Sequence, residues 1–290
     1  MRLTAHLIML LVAIALAPAT AISSDETQTP PAGIGLIGAS ATAGWGVIVP
    51  LDKPSEGRRF RHVTLARALE AIDQDLPGVV TKSGDPFFFR KRNATRALQM
   101  DAVIEARPEA VIGVDVLFWY AYGNVAGVDK TTRGAARAAR LEEGLTQLDR
   151  IVALGIPLIV GDLPDMSGAL EAKPFAFLRA NQVPAKDTLK ALNERIHAWA
   201  AERPDVHLLP LAELIATMQE GKGVTAGGVS WGPDPRLLQH DRLHPTDEGL
   251  LALAAVVSQQ LEQIRAPGAE LEPVDKAAAR AHLRSGAAAP

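Results

Sequence analysis

Two short segments near opposite ends of the chain carry residue types that can do acyl-transfer chemistry. The first is Gly38-Ala39-Ser40-Ala41-Thr42-Ala43-Gly44. A serine on a tight, glycine-flanked turn stands its Oγ clear of the backbone, where it can attack a carbonyl, and neighbouring N–H groups can hold an oxyanion. An ordinary strand-to-helix loop has the same composition, so this segment alone does not decide. The second is Asp241-Arg242-Leu243-His244-Pro245-Thr246. Pro245 suits the first position of a helix, and Asp247 and Glu248 suit its first turn. His244 therefore stands at a rigid helix entrance with Asp241 one short turn before it. Such a carboxylate can hold the imidazole tautomer and stabilise the imidazolium while His244 takes a proton from Ser40. The alternative is a helix cap with an incidental ion pair. A metal site of His240 and His244 needs both on one helix face, and Pro245 leaves His240 ahead of the helix, so no metal is expected. A dinucleotide fingerprint fails too. Gly33, Gly35 and Gly38 lie inside an apolar run, and no acidic residue closes the next strand.

The elements that must bring the two segments together are legible in the apolar pattern. Residues 33–38 read as a first strand, 78–83 as a second, 109–117 as a third, 156–161 as a fourth and 206–209 as a fifth. Between them, helical spacing marks 60–73, 93–106, 134–154, 186–202 and 245–265. The clearest helix repeats Ala138, Leu141, Leu145, Leu148 and Val152, and Gly155 ends it. Strands alternating with long helices imply a parallel sheet. Strands that are apolar throughout imply helices on both faces. The expected fold is a three-layer α/β/α sandwich with a mainly parallel, about five-stranded sheet, over residues 32–265. The ligand site of such a sheet lies at the carboxyl ends of its strands, where Ser40 would stand. Two long loops, 162–185 and 221–243, are candidates for shaping it. Residues 266–290 read as an Ala/Pro/Gly-rich tail with room for one surface helix near 274–284.

Composition narrows the chemistry further. The chain has 290 residues and no cysteine, which removes disulfides, thiol catalysis and Cys-ligated metals. Its apolar share of 48% is too high for a disordered chain. A net charge of −3 gives no basic field to draw nucleic acid. Arg2, the apolar run 7–16 and the small residues up to Ala21 have the pattern of a signal peptide cleaved after Ala21. The run is about half the roughly 20 residues of a spanning helix. Residues 22–31 read as a flexible lead-in. An exported, periplasmic or secreted protein without stable membrane insertion is the expectation.

Taken together, the two segments resemble the blocks of the SGNH/GDSL hydrolase superfamily. Gly38, Ser40, Thr42 and Gly44 match its first block, with Ala39 in place of the usual Asp, and Asp241, His244 and Pro245 match its last. The resemblance implies a flavodoxin-like SGNH fold and no cofactor. It implies Ser40 as nucleophile, His244 as general base and then acid, and Asp241 as its orienter. It further implies an oxyanion hole from Ser40 itself, from Gly84 after the second strand, and from an amide after the third. No Asn stands at that last position. Asp115 occupies it, and could serve only if protonated, or else be turned away and bonded elsewhere. Asn124 and Asn93 are rival amide donors. The function expected is cleavage of a small-molecule, glycan or lipid carboxylic ester through an acyl-enzyme. A ligand-binding protein or an acyltransferase on the same fold is the alternative.

Seven of the 13 aromatic residues fall in two clusters, Phe87-Phe88-Phe89 and Phe118-Trp119-Tyr120 with Tyr122. Both follow strands, so Phe118 and Trp119 are candidates for an apolar substrate wall, with core packing as the other reading. Trp231, in the loop before Asp241, is a candidate lid residue. Arg90, Lys91, Arg92 and Arg96 form a basic run that could draw an anionic group. Asp162 and Asp165 are assigned structural roles.

Overall fold

The computed structural model describes residues 33–285 except 56–57, 86–91, 126–128, 130, 173–175, 235 and 271. The expected signal peptide, the lead-in, Phe87 to Phe89, Arg90 and Lys91 lie outside the described residues. So do the side chains of Arg92, Asn93 and Arg96.

In chain order the elements begin with β1 (Ile34–Gly38), a hairpin of β2 (Ile48–Ser55) and β3 (Arg58–His62), and α1 (Leu65–Ile72). Then come β4 (Val79–Gly84), α2 (Arg92–Ala106), β5 (Ala110–Gly113), the single turn α3 (Phe118–Ala121) and α4 (Arg133–Val152). β6 (Leu158–Gly161), α5 (Lys186–Ala201), β7 (Val206–Leu209) and α6 (Leu211–Gln219) follow. A small hairpin of β8 (Val224–Ala226) and β9 (Val229–Trp231) precedes α7 (Asp247–Arg265) and α8 (Lys276–Arg284).

The central sheet has the order β4-β1-β5-β6-β7 and every pair is parallel. β1, β5 and β6 are buried at every position, as strands covered on both faces must be. α1, α7 and α8 pack together on one side, while α2, α4 and α5 form the other layer. The fold is therefore a three-layer α/β/α sandwich. Because all five strands run the same way, the turns after β1 and β5 emerge at one edge, side by side. That edge is where the carboxyl ends of a parallel sheet leave a crevice.

The structure departs from the sequence expectations at several places and bears out the helix expected in the tail. Residues 58–62 are a strand, and the helix expected from Phe60 begins at Leu65. Val47, Val49 and Leu51 are buried while Ile48 and Pro50 are exposed, a period of two that belongs to a hairpin. Thr64 caps α1 by accepting from the Arg67 N–H. The third strand stops at Gly113, and residues 114–117 form a turn. The loop 221–243 contains the β8–β9 hairpin, turned by Gly227 and Gly228 at φ of +57° and +71°, a left-handed pair that glycine adopts at little steric cost. The tail ends in α8, which packs on α1. Asp275 caps it, Ala279 and Leu283 are buried, and Arg280 makes paired hydrogen bonds to buried Glu248 on α7. Among the described residues no helix is long and apolar enough to cross a membrane.

Candidate active site

The turn after β1 is held by two side chains from elsewhere in the chain. Gln99 on α2 clamps Gly38, accepting from its N–H at 3.0 Å and donating to its carbonyl at 2.9 Å. Asp115, in the turn after β5, accepts from the N–H groups of Ala39 (2.9 Å), Ala41 (2.7 Å) and Thr42 (3.4 Å). The Thr42 hydroxyl donates to it as well, at 2.6 Å. Hydrogen bonds to a carboxylate are among the stronger ones, and four of them fix the backbone on either side of Ser40. The Ser40 N–H is passed over and meets no acceptor among the described residues. It is left as a donor for an oxyanion at the serine itself. The glycines are fixed by space. A Cβ on Gly38 would lie 2.2 Å from Thr42 Oγ1, and one on Gly44 (φ +68°) would lie 1.7 Å from the Val63 carbonyl.

His244 and Asp241 sit at the entrance of α7. The imidazole Nδ1–H donates to Asp241 Oδ2 at 2.7 Å, and Asp241 Oδ1 accepts from the backbone N–H groups of Leu243 (2.9 Å) and His244 (3.0 Å). Thr246 caps the helix by accepting from the Gly249 N–H. With Nδ1 committed to the carboxylate, Nε2 is the free basic nitrogen. Burial pushes the Asp241 carboxyl up. The hydrogen bonds from the His244 side chain and from the two N–H groups outweigh it and hold the group below its ordinary 3.8.

A carboxyl whose folded pKa lies below its unfolded one contributes stability above the unfolded value and loses it as pH falls through the folded one. The melting-temperature gap between wild type and Asp241→Asn should therefore be constant above about pH 4 and shrink below it. Thermal melts across pH 2–7 check this.

Ser40 and His244 line the same cavity, about 50 Å³ in volume. Its remaining walls are almost wholly apolar, chiefly Phe118, Met166, Leu211, Ile215, Met218 and Leu253. No hydrogen bond joins Ser40 to His244 among the described residues. In free enzymes such contacts are often long and tighten only with substrate bound. The cavity wall is braced from behind. The Tyr122 hydroxyl donates to the Pro164 carbonyl and accepts from the Met166 N–H. Asn193 clamps Leu163 through both its amide atoms.

The other candidates from the sequence fall both on and off this cavity. Asp115 is an acceptor with both oxygens engaged by the β1 turn, so it does not donate to an oxyanion. Asn124 is exposed, and its side-chain oxygen accepts from Asn181, away from the cavity. Gly84 touches the turn backbone, where a Cβ would lie 2.5 Å from Ala43 N. Its glycine identity follows from that approach. Phe118 lines the cavity, while Trp119 packs edge-on behind it with ring centres 5.0 Å apart. Trp231 is no lid. It is fully buried in β9, and its indole N–H donates to the Ala226 carbonyl. Asp162 accepts from the Ala212 N–H at the start of α6, and Asp165 from the Ser167 N–H. Both are structural roles.

Two aromatic residues that sequence reasoning missed stand against His244. The Phe177 ring is perpendicular to the imidazole with centres 5.6 Å apart, and Trp45 is 6.1 Å away. The two rings also meet edge-on at 6.2 Å. Trp45 follows Gly44 directly, so its nearness to Ser40 was available as a signal. Phe177 lies in the long loop 162–185 and carried none.

No family model matches the sequence, and no curated protein matches it. Among solved structures, a gut microbial diltiazem-metabolizing enzyme aligns at a TM-score of 0.50 and 13% identity. The alignment covers 79% of this chain and 46% of that one, so the chain spans less than half the length of that protein. At this identity the likeness concerns the fold, the α/β/α sandwich.

Proposed function

We propose that the protein is an exported serine ester hydrolase of the SGNH/GDSL type. The observation that carries the reading is the Asp241–His244 pair, hydrogen-bonded at 2.7 Å and opening on a cavity that Ser40 shares. Ser40 Oγ attacks the ester carbonyl while His244 Nε2 takes its proton. The Ser40 N–H receives the developing oxyanion. His244 then gives the proton to the departing alcohol. Water, activated by the same imidazole, releases the acid and regenerates Ser40. Asp241 holds the tautomer and offsets the imidazolium charge throughout. No step calls for a metal or an organic cofactor. His244→Ala should lower the rate on a soluble phenyl ester by about 10⁴-fold. Stopped-flow and steady-state kinetics check it. A loss under tenfold removes the histidine from the reaction.

A further inference from the structure

The β2–β3 hairpin has two faces of opposite character. Val47, Val49 and Leu51 are buried, and β2 packs against α8. The alternating positions face solvent. In the antiparallel register Ile48 lies opposite His62 and Pro50 opposite Phe60, so these four residues share the outer face. Ile48 is 61% exposed and Phe60 62%. They are diagonal neighbours across the two strands, close enough to form one apolar ridge. Single exposed apolar side chains are ordinary, but this ridge has cations beside it. Residues 48–62 carry Lys53, Arg58, Arg59 and Arg61 against Asp52 and Glu56, in a chain whose net charge is −3. Lys53 and Arg59, toward the tip of the hairpin, are exposed, and neither forms an ion pair with a described residue.

Charge and proline also guard a sheet edge against pairing, but that role calls for no exposed Phe or Ile. An apolar ridge with free cations beside it matches the boundary of an anionic lipid surface, where apolar side chains enter the acyl region and cations meet phosphate headgroups. A stable protein partner would need roughly 800 Å² on each side, well beyond two apolar side chains. We propose that the β2–β3 hairpin docks the protein on an anionic phospholipid surface, with Ile48 and Phe60 entering the acyl boundary and Lys53 and Arg59 engaging phosphates. The hairpin is rooted on the turn that carries Ser40. The Gly44 carbonyl accepts from the Val47 N–H at 3.0 Å and from the His62 ring Nε2–H at 2.8 Å. The inference does not rest on the ester-hydrolase reading.

The test is sedimentation of the full chain with vesicles of phosphatidylglycerol, and of phosphatidylcholine for comparison. Binding to the anionic vesicles should be at least about tenfold tighter. It should weaken as NaCl rises from about 0.1 M to about 1 M and the Debye length shortens. Ile48→Thr/Phe60→Thr should weaken it at least about tenfold, and Arg59→Ser about fivefold. Each variant should melt within about 2 °C of wild type. Wild type and variants share the apolar run 7–16, so a difference between them belongs to the hairpin. In Phe60→Trp, the emission added over wild type should be quenched by vesicles with brominated acyl chains. No binding to the anionic vesicles, equal binding to both lipids, undiminished binding of the double variant, or added emission that stays unquenched in the sedimented protein would overturn the inference. So would a concentration-dependent dimer that the double variant abolishes, which assigns the face to a second copy of the chain.

Discussion

Ser40→Ala should lower turnover of a phenyl ester by at least about 10⁴-fold and move the melting temperature by no more than about 2 °C. The two halves of this expectation have separate grounds. Catalytic loss follows from the proposed mechanism, in which the nucleophile is an oxygen the chain cannot replace. With no cysteine anywhere in the sequence, no thiol can substitute. The unchanged stability follows because the Ser40 hydroxyl makes no hydrogen bond among the described residues. The turn around it is held through backbone N–H groups by Asp115 and Gln99. Removing the Oγ leaves those bonds intact. A serine that merely packed or capped would show the reverse, a stability loss without a kinetic one. Paired kinetic and thermal measurements on the one variant separate the two.

Asp115→Ala should be costly in both respects. Its carboxylate takes three N–H groups and the Thr42 hydroxyl, and Asp115 is only 7% exposed. Deleting it strands donors that little water can reach. At about 1–3 kcal/mol for each unsatisfied buried group, a total near 3 kcal/mol is a low expectation. For a chain of this size that lowers the melting temperature by about 6–12 °C. The turn carrying Ser40 also loosens, and a displacement near 1 Å at a reacting group costs about 10² in rate. kcat should therefore fall about 10²-fold while KM changes far less. Asp115→Asn should fall between the two. Its amide keeps one acceptor oxygen and presents a second donor to donors already there. A variant that melted early yet kept wild-type kcat would show that the carboxylate supports the fold without positioning Ser40.

The fold was legible because three of its five central strands, β1, β5 and β6, are uninterrupted apolar runs and the long helices keep their stripes. The β2–β3 hairpin was not, because the Leu65/Leu69 stripe was carried back to Phe60, although Phe60 lies five residues before Leu65 and out of its phase. The two ends of the site were legible for a local reason: the turn glycines around Ser40 and Pro245 after His244 leave little conformational choice. The middle of the site was not. Asp115 sits where an amide donor was sought, and only side-chain direction reveals that it accepts from the turn on either side of Ser40. Residues 39 and 115 are distant in sequence, and nothing local marks the pairing. Trp231 was assigned to a loop because a three-residue strand is too short to show its period. Its Gly227-Gly228 turn was the available signal. Phe177 stands beside His244 through the path of a loop whose composition carries no code.

The central claim is that Ser40 is a nucleophile activated by His244. It is tested most directly by treating the protein with a fluorophosphonate and mapping the adduct by peptide mass spectrometry. The account predicts one phosphonyl group on the peptide containing Ser40. It also predicts none on the Ser40→Ala protein and slow labelling of His244→Ala. An adduct on another residue, or labelling that persists in Ser40→Ala, contradicts it.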